Sequence, residues 1–296
     1  PLYAVIAAIF VFLFGPQLLA LRFFSMLCCL LSAFLVYRIF CLSESKPSAA
    51  LVATSFFMSF NAVFSWSYSA RPDMLVTFLS LLAIERFLSA LTGKSTLSSD
   101  IKSVGASLSF EKLFPVLMIS WLAIMSKQQA AVFVLAIFAY LCTLKKTKLA
   151  FQFIGAWLAL IAISIIFMQL FTHGFVEHLT FLSSVRKNST VLLGNIASLG
   201  LDFAKVLSAF IILPIGIFLL KNSKPILKLP LILFLISISV SYFSMSIPAS
   251  NINHLIPAIF SLSWLMALSL DRLPFWVSFL VVAASCPTLL QISEIA

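Results

Sequence analysis

Ser67-Tyr-Ser-Ala-Arg-Pro-Asp-Met-Leu75 is a short polar stretch between two long apolar runs. Arg71 and Asp73 stand where one apolar segment ends and the next begins. Pro72 suits that place, because it lacks an N–H and fits the first turn of a helix. A charged pair beside an apolar layer is costly, so it either has a functional partner or sits at a water boundary. The side of the membrane on which it lies decides how the chain reads.

Composition sets the frame. Of the 296 residues 62% are hydrophobic and only 9% are charged, too few for a dissolved domain of this size. Repeated apolar runs near the spanning length predict a polytopic helical membrane protein. The runs do not alternate every second residue, which excludes an outer-membrane barrel. The formal net charge is +10, but the cations are scattered singly through short loops. They read as topology signals rather than a nucleic-acid face, and no nucleic-acid partner is expected. The cysteines at 28, 29, 41, 142 and 286 form no CxxC and read as ordinary apolar residues. The sequence opens on Pro1 without a charged n-region, so an upstream segment is expected.

Outward from the Arg71/Asp73 knot, 49–66 and 73–91 read as spans, as does 18–41 before them. Residues 2–14 are closed by Gly15-Pro16. Such a segment makes about 20 Å of helix, too short for a ~30 Å core, and reads as interfacial. Thr92 to Lys112 is a polar loop. The run 113–144 holds Ser126-Lys127-Gln128-Gln129 near its middle, and one straight helix would bury Lys127. Two short helices around that turn avoid the burial. Further spans follow at 149–171, 203–220, 229–246, 254–270 and 274–293. The expected architecture is all-α: about nine transmembrane helices plus a short N-terminal interfacial helix, in one domain over 1–296.

The positive-inside rule supports the reversal at Lys127. With it, Arg38, Lys46, Arg86, Lys94, Lys102, Lys112, Lys145, Lys146, Lys148, Lys221, Lys224, Lys228 and Arg272 share the inner side. Arg22, Arg71, Lys127, Arg186, Lys187 and Lys205 are left outside. Outer cations run against that bias, and a phosphate near the outer boundary would explain them. Each also has a plainer reading. Arg71 with Asp73 is then an ion pair closing a tight turn, and Lys127 snorkels from a helix end. Arg186 and Lys187 are then solvated loop residues. His173, Glu177 and His178 lack the spacing of a metal motif, and no metal or other cofactor is expected. Asn251-Ile-Asn253-His254 opens a helix, where Asn is a good cap. Asn188-Ser-Thr is formally a glycosylation acceptor. No DxD, Walker A, GxSxG or run of intramembrane carboxylates is present.

Four features together resemble the lipid-linked-sugar membrane glycosyltransferases of the GT-C class. The nearest branch is the bacterial relatives of dolichyl-phosphate-mannose protein mannosyltransferases and of the lipid A aminoarabinose transferase. The features are Pro1-Leu2-Tyr3 with Phe14-Gly15 and Leu21-Arg22-Phe23-Phe24-Ser25; Arg71-Pro72-Asp73; Ser126-Lys127-Gln128; and Asn251-Ile-Asn253-His254-Leu255-Ile256-Pro257. The resemblance implies that a first helix and most of a first outer loop, carrying the acidic catalytic base, lie upstream of Pro1. No residue here matches that base.

The resemblance further implies transfer of a sugar from a polyprenyl-phosphate donor to a lipid, glycan or protein acceptor. The reaction would take place at the outer face of a bacterial inner membrane. Lys127 and Arg71, with Arg22 or Arg186, are expected to hold the donor phosphate, and Asp73 to orient Arg71. Gln128, Asn253 and His254 are expected as supporting or sugar contacts. A secondary transporter, a lipid flippase and a non-catalytic scaffold are the rival readings.

Overall fold

The computed structural model describes residues 2–92, 108–172, 175–176, 228–245 and 252–270, and all of the regular structure among them is helical. The elements are α1 (Leu2–Phe14), α2 (Leu18–Leu42), α3 (Pro47–Ser59), α4 (Asn61–Ser67) and α5 (Asp73–Thr92). After them come α6 (Phe110–Ser126), a 3₁₀ turn (Gln128–Ala130), α7 (Ala131–Thr143) and α8 (Thr147–Thr172). The last are α9 (Lys228–Met245), a second 3₁₀ turn (Ile252–Leu255) and α10 (Ile256–Leu270). The expected spans 203–220 and 274–293 lie outside the described residues.

Among the described residues, four helical stretches are long and apolar enough to cross a membrane: α2, α5, α8 and Asn253–Leu270. They differ in what surrounds them. α5 and α10 are largely enclosed by their neighbours. α8 turns most of its surface outward, with Phe151, Ile163, Phe167 and Phe171 each more than half exposed. α2 does the same through Leu19, Phe23, Leu30 and Phe34. Water would not tolerate an apolar surface of this extent on a monomer, whereas lipid would. The long apolar helices are compatible with a membrane protein.

Aromatic packing joins the centre. The Phe260 ring on α10 lies 6.0 Å from Phe40 of α2, 6.2 Å from Phe57 of α3 and 6.3 Å from Phe133 of α7. Association within a bilayer depends on such close packing rather than on apolar transfer. Hydroxyls in the apolar layer close on their own helices. Thr54, Ser32, Ser261 and Ser269 each donate to the carbonyl four residues back, which spares a partner elsewhere.

Gly15 separates α1 from α2 with a positive φ of 77°, a conformation that glycine adopts without steric penalty. Two later turns repeat one another. Glu44 and Lys145 both adopt left-handed backbone, and the next N–H of each turn reaches five residues back, from Ser45 to Phe40 and from Lys146 to Leu141. These are Schellman closures, which satisfy the last carbonyls of α2 and α7.

One expectation is modified. The stretch 49–66 is not one helix. Phe60 adopts extended backbone (φ −64°, ψ 133°), and its carbonyl receives the N–H groups of Val63 and Phe64, so that it starts α4 rather than continuing α3. Segment 113–144, in contrast, reverses as expected. Lys127 is extended (φ −160°, ψ 140°) and ends α6. Its ammonium meets Asp73 at the start of α5, while Tyr140 lies edge-on to Phe87, 5.9 Å away, further along α5. α7 therefore runs beside α5 in the same direction. Near the end of α6, Trp121 Nε1 donates to Ser164 Oγ late in α8 (2.9 Å), and Phe138 of α7 meets Phe151 early in α8 edge-on. α6 and α7 are thus antiparallel.

Two polar locks hold α5. The one toward its C-terminal half is at Glu85, two turns before Thr92, where Glu85 is buried and Arg38 Nη2 of α2 meets its Oε1 at 2.7 Å. Arg86 Nε lies 3.4 Å from the other oxygen. Arg38 keeps about half of its side chain exposed, whereas Glu85 keeps 2%. Arg38→Ala is therefore expected to cost about 1–2 kcal/mol, since a buried carboxylate loses its best donor. Glu85→Gln in that background should restore part of the loss in thermal unfolding. Full additivity of the two substitutions would show that the pair does not couple the helices.

Candidate functional site

The opposite end of α5 carries the densest polar cluster among the described residues. Asp73 opens the helix and is only 3% exposed. Helix N-termini favour a carboxylate, because the first N–H groups lack partners. Thr77 Oγ1 donates to the Asp73 carbonyl (2.8 Å) and ties off the first turn. Asp73 Oδ1 accepts from two side chains that are remote in sequence. One is the Lys127 ammonium, in the turn between α6 and α7. The other is the Asn253 carboxamide nitrogen, in the 3₁₀ turn before α10. Gln129 Nε2 then donates to the Asn253 backbone carbonyl (2.8 Å), and Ser241 of α9 donates to that of His254. Four segments are thereby fastened around one carboxylate.

Lys127 is not fully enclosed. A quarter of its side chain remains exposed. An ammonium has three donors, and Asp73 uses one of them. Arg71 lies at the rim, exposed, with its guanidinium 4.8 Å above the Trp66 ring of α4. This stacking holds the cation in place without neutralising it. α1 closes the cluster from another side. The Tyr3 hydroxyl is buried without a hydrogen-bond partner among the described residues. Burial, and after it the charge of Asp73, holds the Tyr3 phenol above its ordinary pKa.

Comparison with family models, with curated proteins and with solved structures found no match.

The structure brings together Asp73, Lys127 and Asn253, which stand in three separate motifs of the sequence. The partnership differs from the expected one. Asp73 does not orient Arg71; it pairs with Lys127, and Arg71 turns to Trp66. The reason is geometric. Asp73 begins α5 and points into the bundle, whereas Arg71 precedes the helix on the exposed side of the turn. Gln128 is exposed, and it is Gln129 that reaches Asn253. Arg22 is exposed on α2 and forms no ion pair among the described residues. His254 is half-buried beside the cluster. Arg186, Lys187, His173, Glu177, His178 and Asn251 lie outside the described residues.

Two members of the site are not predicted by the sequence reading. Gln129 is seen among the outer polar residues but not chosen over its neighbour. Tyr3 is visible only as part of Pro1-Leu2-Tyr3, with no polar partner nearby in sequence to mark its role.

Proposed function

We propose that this chain is the membrane body of a GT-C-type glycosyltransferase that takes its sugar from a polyprenyl-phosphate donor. In this reading the chain makes about nine crossings of a bacterial inner membrane, and the Asp73 end faces outward. One observation carries the proposal. Three motifs remote in sequence converge on Asp73 and present a partly exposed ammonium, with the exposed guanidinium of Arg71 nearby, at the end of an apolar bundle. A lipid phosphate arriving from the bilayer needs cations at that level, and Lys and Arg are its natural partners.

The chemistry follows from where charge develops. An acceptor hydroxyl attacks the anomeric carbon with inversion as the bond from that carbon to the phosphate oxygen breaks. The electron pair leaves with the lipid phosphate, and its growing charge is met by donors already in place on Lys127 and Arg71. The hydroxyl proton passes to a carboxylate not assigned among these residues. Asp73 is not given that role, because its Oδ1 already holds Lys127 and Asn253.

A carrier would require a polar path through the bundle. Between Asp73 and Glu85, α5 offers only Thr77, already bonded to its own helix, and Ser80. The pattern favours a site at one boundary over a route across.

The test is binding and turnover by the chain in lipid nanodiscs. Undecaprenyl phosphate should bind in preference to phosphatidylglycerol, and a glycosylated donor should release it when acceptor is supplied. Arg71→Ala should weaken phosphate binding about 3–10-fold, as expected for an exposed charge-assisted contact, and leave thermal stability within about 0.5 kcal/mol. No preference for the isoprenoid phosphate over phosphatidylglycerol would end the proposal.

A further inference from the structure

The knot around Asp73 is not fully satisfied. Asn253 is 3% exposed, and its carboxamide nitrogen is spent on Asp73. Its carboxamide oxygen is buried without a partner among the described residues. This orientation is fixed by chemistry. An ionised carboxylate only accepts, so the amide must turn its nitrogen to Asp73 and its oxygen away. The Tyr3 hydroxyl is likewise buried without a partner among the described residues, close enough to Asp73 to feel its charge. Ten buried side-chain atoms lack a partner among the described residues, and the Asn253 oxygen is set apart from the others by the partly exposed Lys127 ammonium that shares Asp73 with it.

The missing partner must carry a donor. A phosphate oxygen or a carboxylate would be repelled by the Asn253 carbonyl, whereas a hydroxyl would be held. The knot is therefore polarised, with cationic donors on the Lys127 side and neutral acceptors on the Asn253 side. Lys127 Nζ and Asn253 Nδ2 share one oxygen of Asp73. Two donors on one acceptor lie at most about 6 Å apart. A sugar phosphate offers this combination at this spacing, as an anionic group on one carbon and a hydroxyl on the next.

We propose that Asn253 Oδ1, assisted by the Tyr3 hydroxyl, binds a hydroxyl of the sugar adjacent to the phosphate held at Lys127, and so distinguishes the loaded lipid from the bare one. The inference rests on the donor reading above and assigns to Asn253 and Tyr3 the recognition of the sugar. Phosphate alone would not tell substrate from product. A second contact that only the sugar can make would favour entry of the loaded lipid and exit of the spent one.

The experiment compares two probes on the full chain in nanodiscs: undecaprenyl phosphate, and undecaprenyl phosphate carrying glucose or mannose. Native mass spectrometry gives the ratio of their affinities. The wild-type chain should prefer a glycosylated lipid about tenfold, a usual consequence of pairing a buried polar group. Asn253→Ala should bring the ratio close to one, whatever it does to the absolute affinities. Tyr3→Phe, which preserves the packing of the ring, should lower the ratio about threefold. It also serves as the readout if Asn253→Ala does not fold. A wild-type preference that both variants retain would overturn the assignment and place sugar recognition elsewhere. Equal binding of both lipids by the wild type would overturn it and leave the phosphate reading standing. Binding of neither lipid would overturn both.

Discussion

Asp73→Ala is expected to lower folding stability by about 3 kcal/mol, at the lower end of the range for a buried ion pair deprived of one partner. The lower end applies because Lys127 keeps a quarter of its side chain in contact with its surroundings, whereas Asp73 is enclosed. The loss has two sources. The ammonium is left without its counter-charge, and the Asn253 amide is left without an acceptor. Asp73→Asn keeps an acceptor oxygen and should cost less, about 1–2 kcal/mol. In the double variant Asp73→Ala/Lys127→Ala neither charge is stranded. Its cost should fall short of the sum of the single variants by about 1–3 kcal/mol. Thermal unfolding in detergent would measure all four forms. A Tm for Asp73→Ala equal to that of wild type would show that this pair does not hold α5, α6 and α10 together.

Lys127→Ala should reduce affinity for undecaprenyl phosphate about 10–100-fold, the equivalent of one charge-assisted hydrogen bond of about 1.5–3 kcal/mol. That variant also strands Asp73, so binding and stability fall together and must be separated. Lys127→Arg does this. It keeps the charge beside Asp73 and should recover most of the stability. It replaces a compact ammonium with a planar fork, so its lipid affinity should fall between wild type and Ala. Raised ionic strength should weaken the exposed Arg71 contribution more than the partly buried Lys127 contribution. Equal lipid affinity in wild type and Lys127→Ala would remove Lys127 from the site, whatever its role in the fold.

The sequence makes the helices legible where hydropathy changes sharply. Gly15-Pro16 ends α1, and Ser126 to Gln129 marks the reversal in a run that is otherwise apolar. The break at Phe60 carries no such signal. Met58, Phe60, Ala62 and Val63 belong to one apolar run interrupted only by Ser59 and Asn61, so a single span is the natural reading. There the backbone turns through extended geometry at a residue whose side chain is suited to a helix.

The site is legible as a set of residues but not as a set of partners. Arg71 is the closest cation to Asp73 in sequence, and proximity in sequence assigned the pair. The true partner lies in another turn, brought there by the packing of α5 against α6. The choice between Gln128 and Gln129 depends on the extended backbone of Lys127, which sets the face that each residue of the 3₁₀ turn presents. Neither is a property of local composition.

The two charged locks on α5 also bear on the bilayer itself. At 1.5 Å per residue, Asp73 and Glu85 stand about 18 Å apart along the helix. The hydrocarbon layer is ~30 Å thick, so the apolar stretch between the locks is far shorter than the slab around it. Both carboxylates are enclosed, so a bilayer would meet this distance only through the cations that pair with them, Arg38 and Lys127, whose side chains stay 47% and 25% exposed. Long cationic side chains reach outward along apolar surface toward the headgroups, which makes up part of the difference. In the donor reading proposed above, the same reach lets Lys127 meet a lipid phosphate while the long tail stays in the oil.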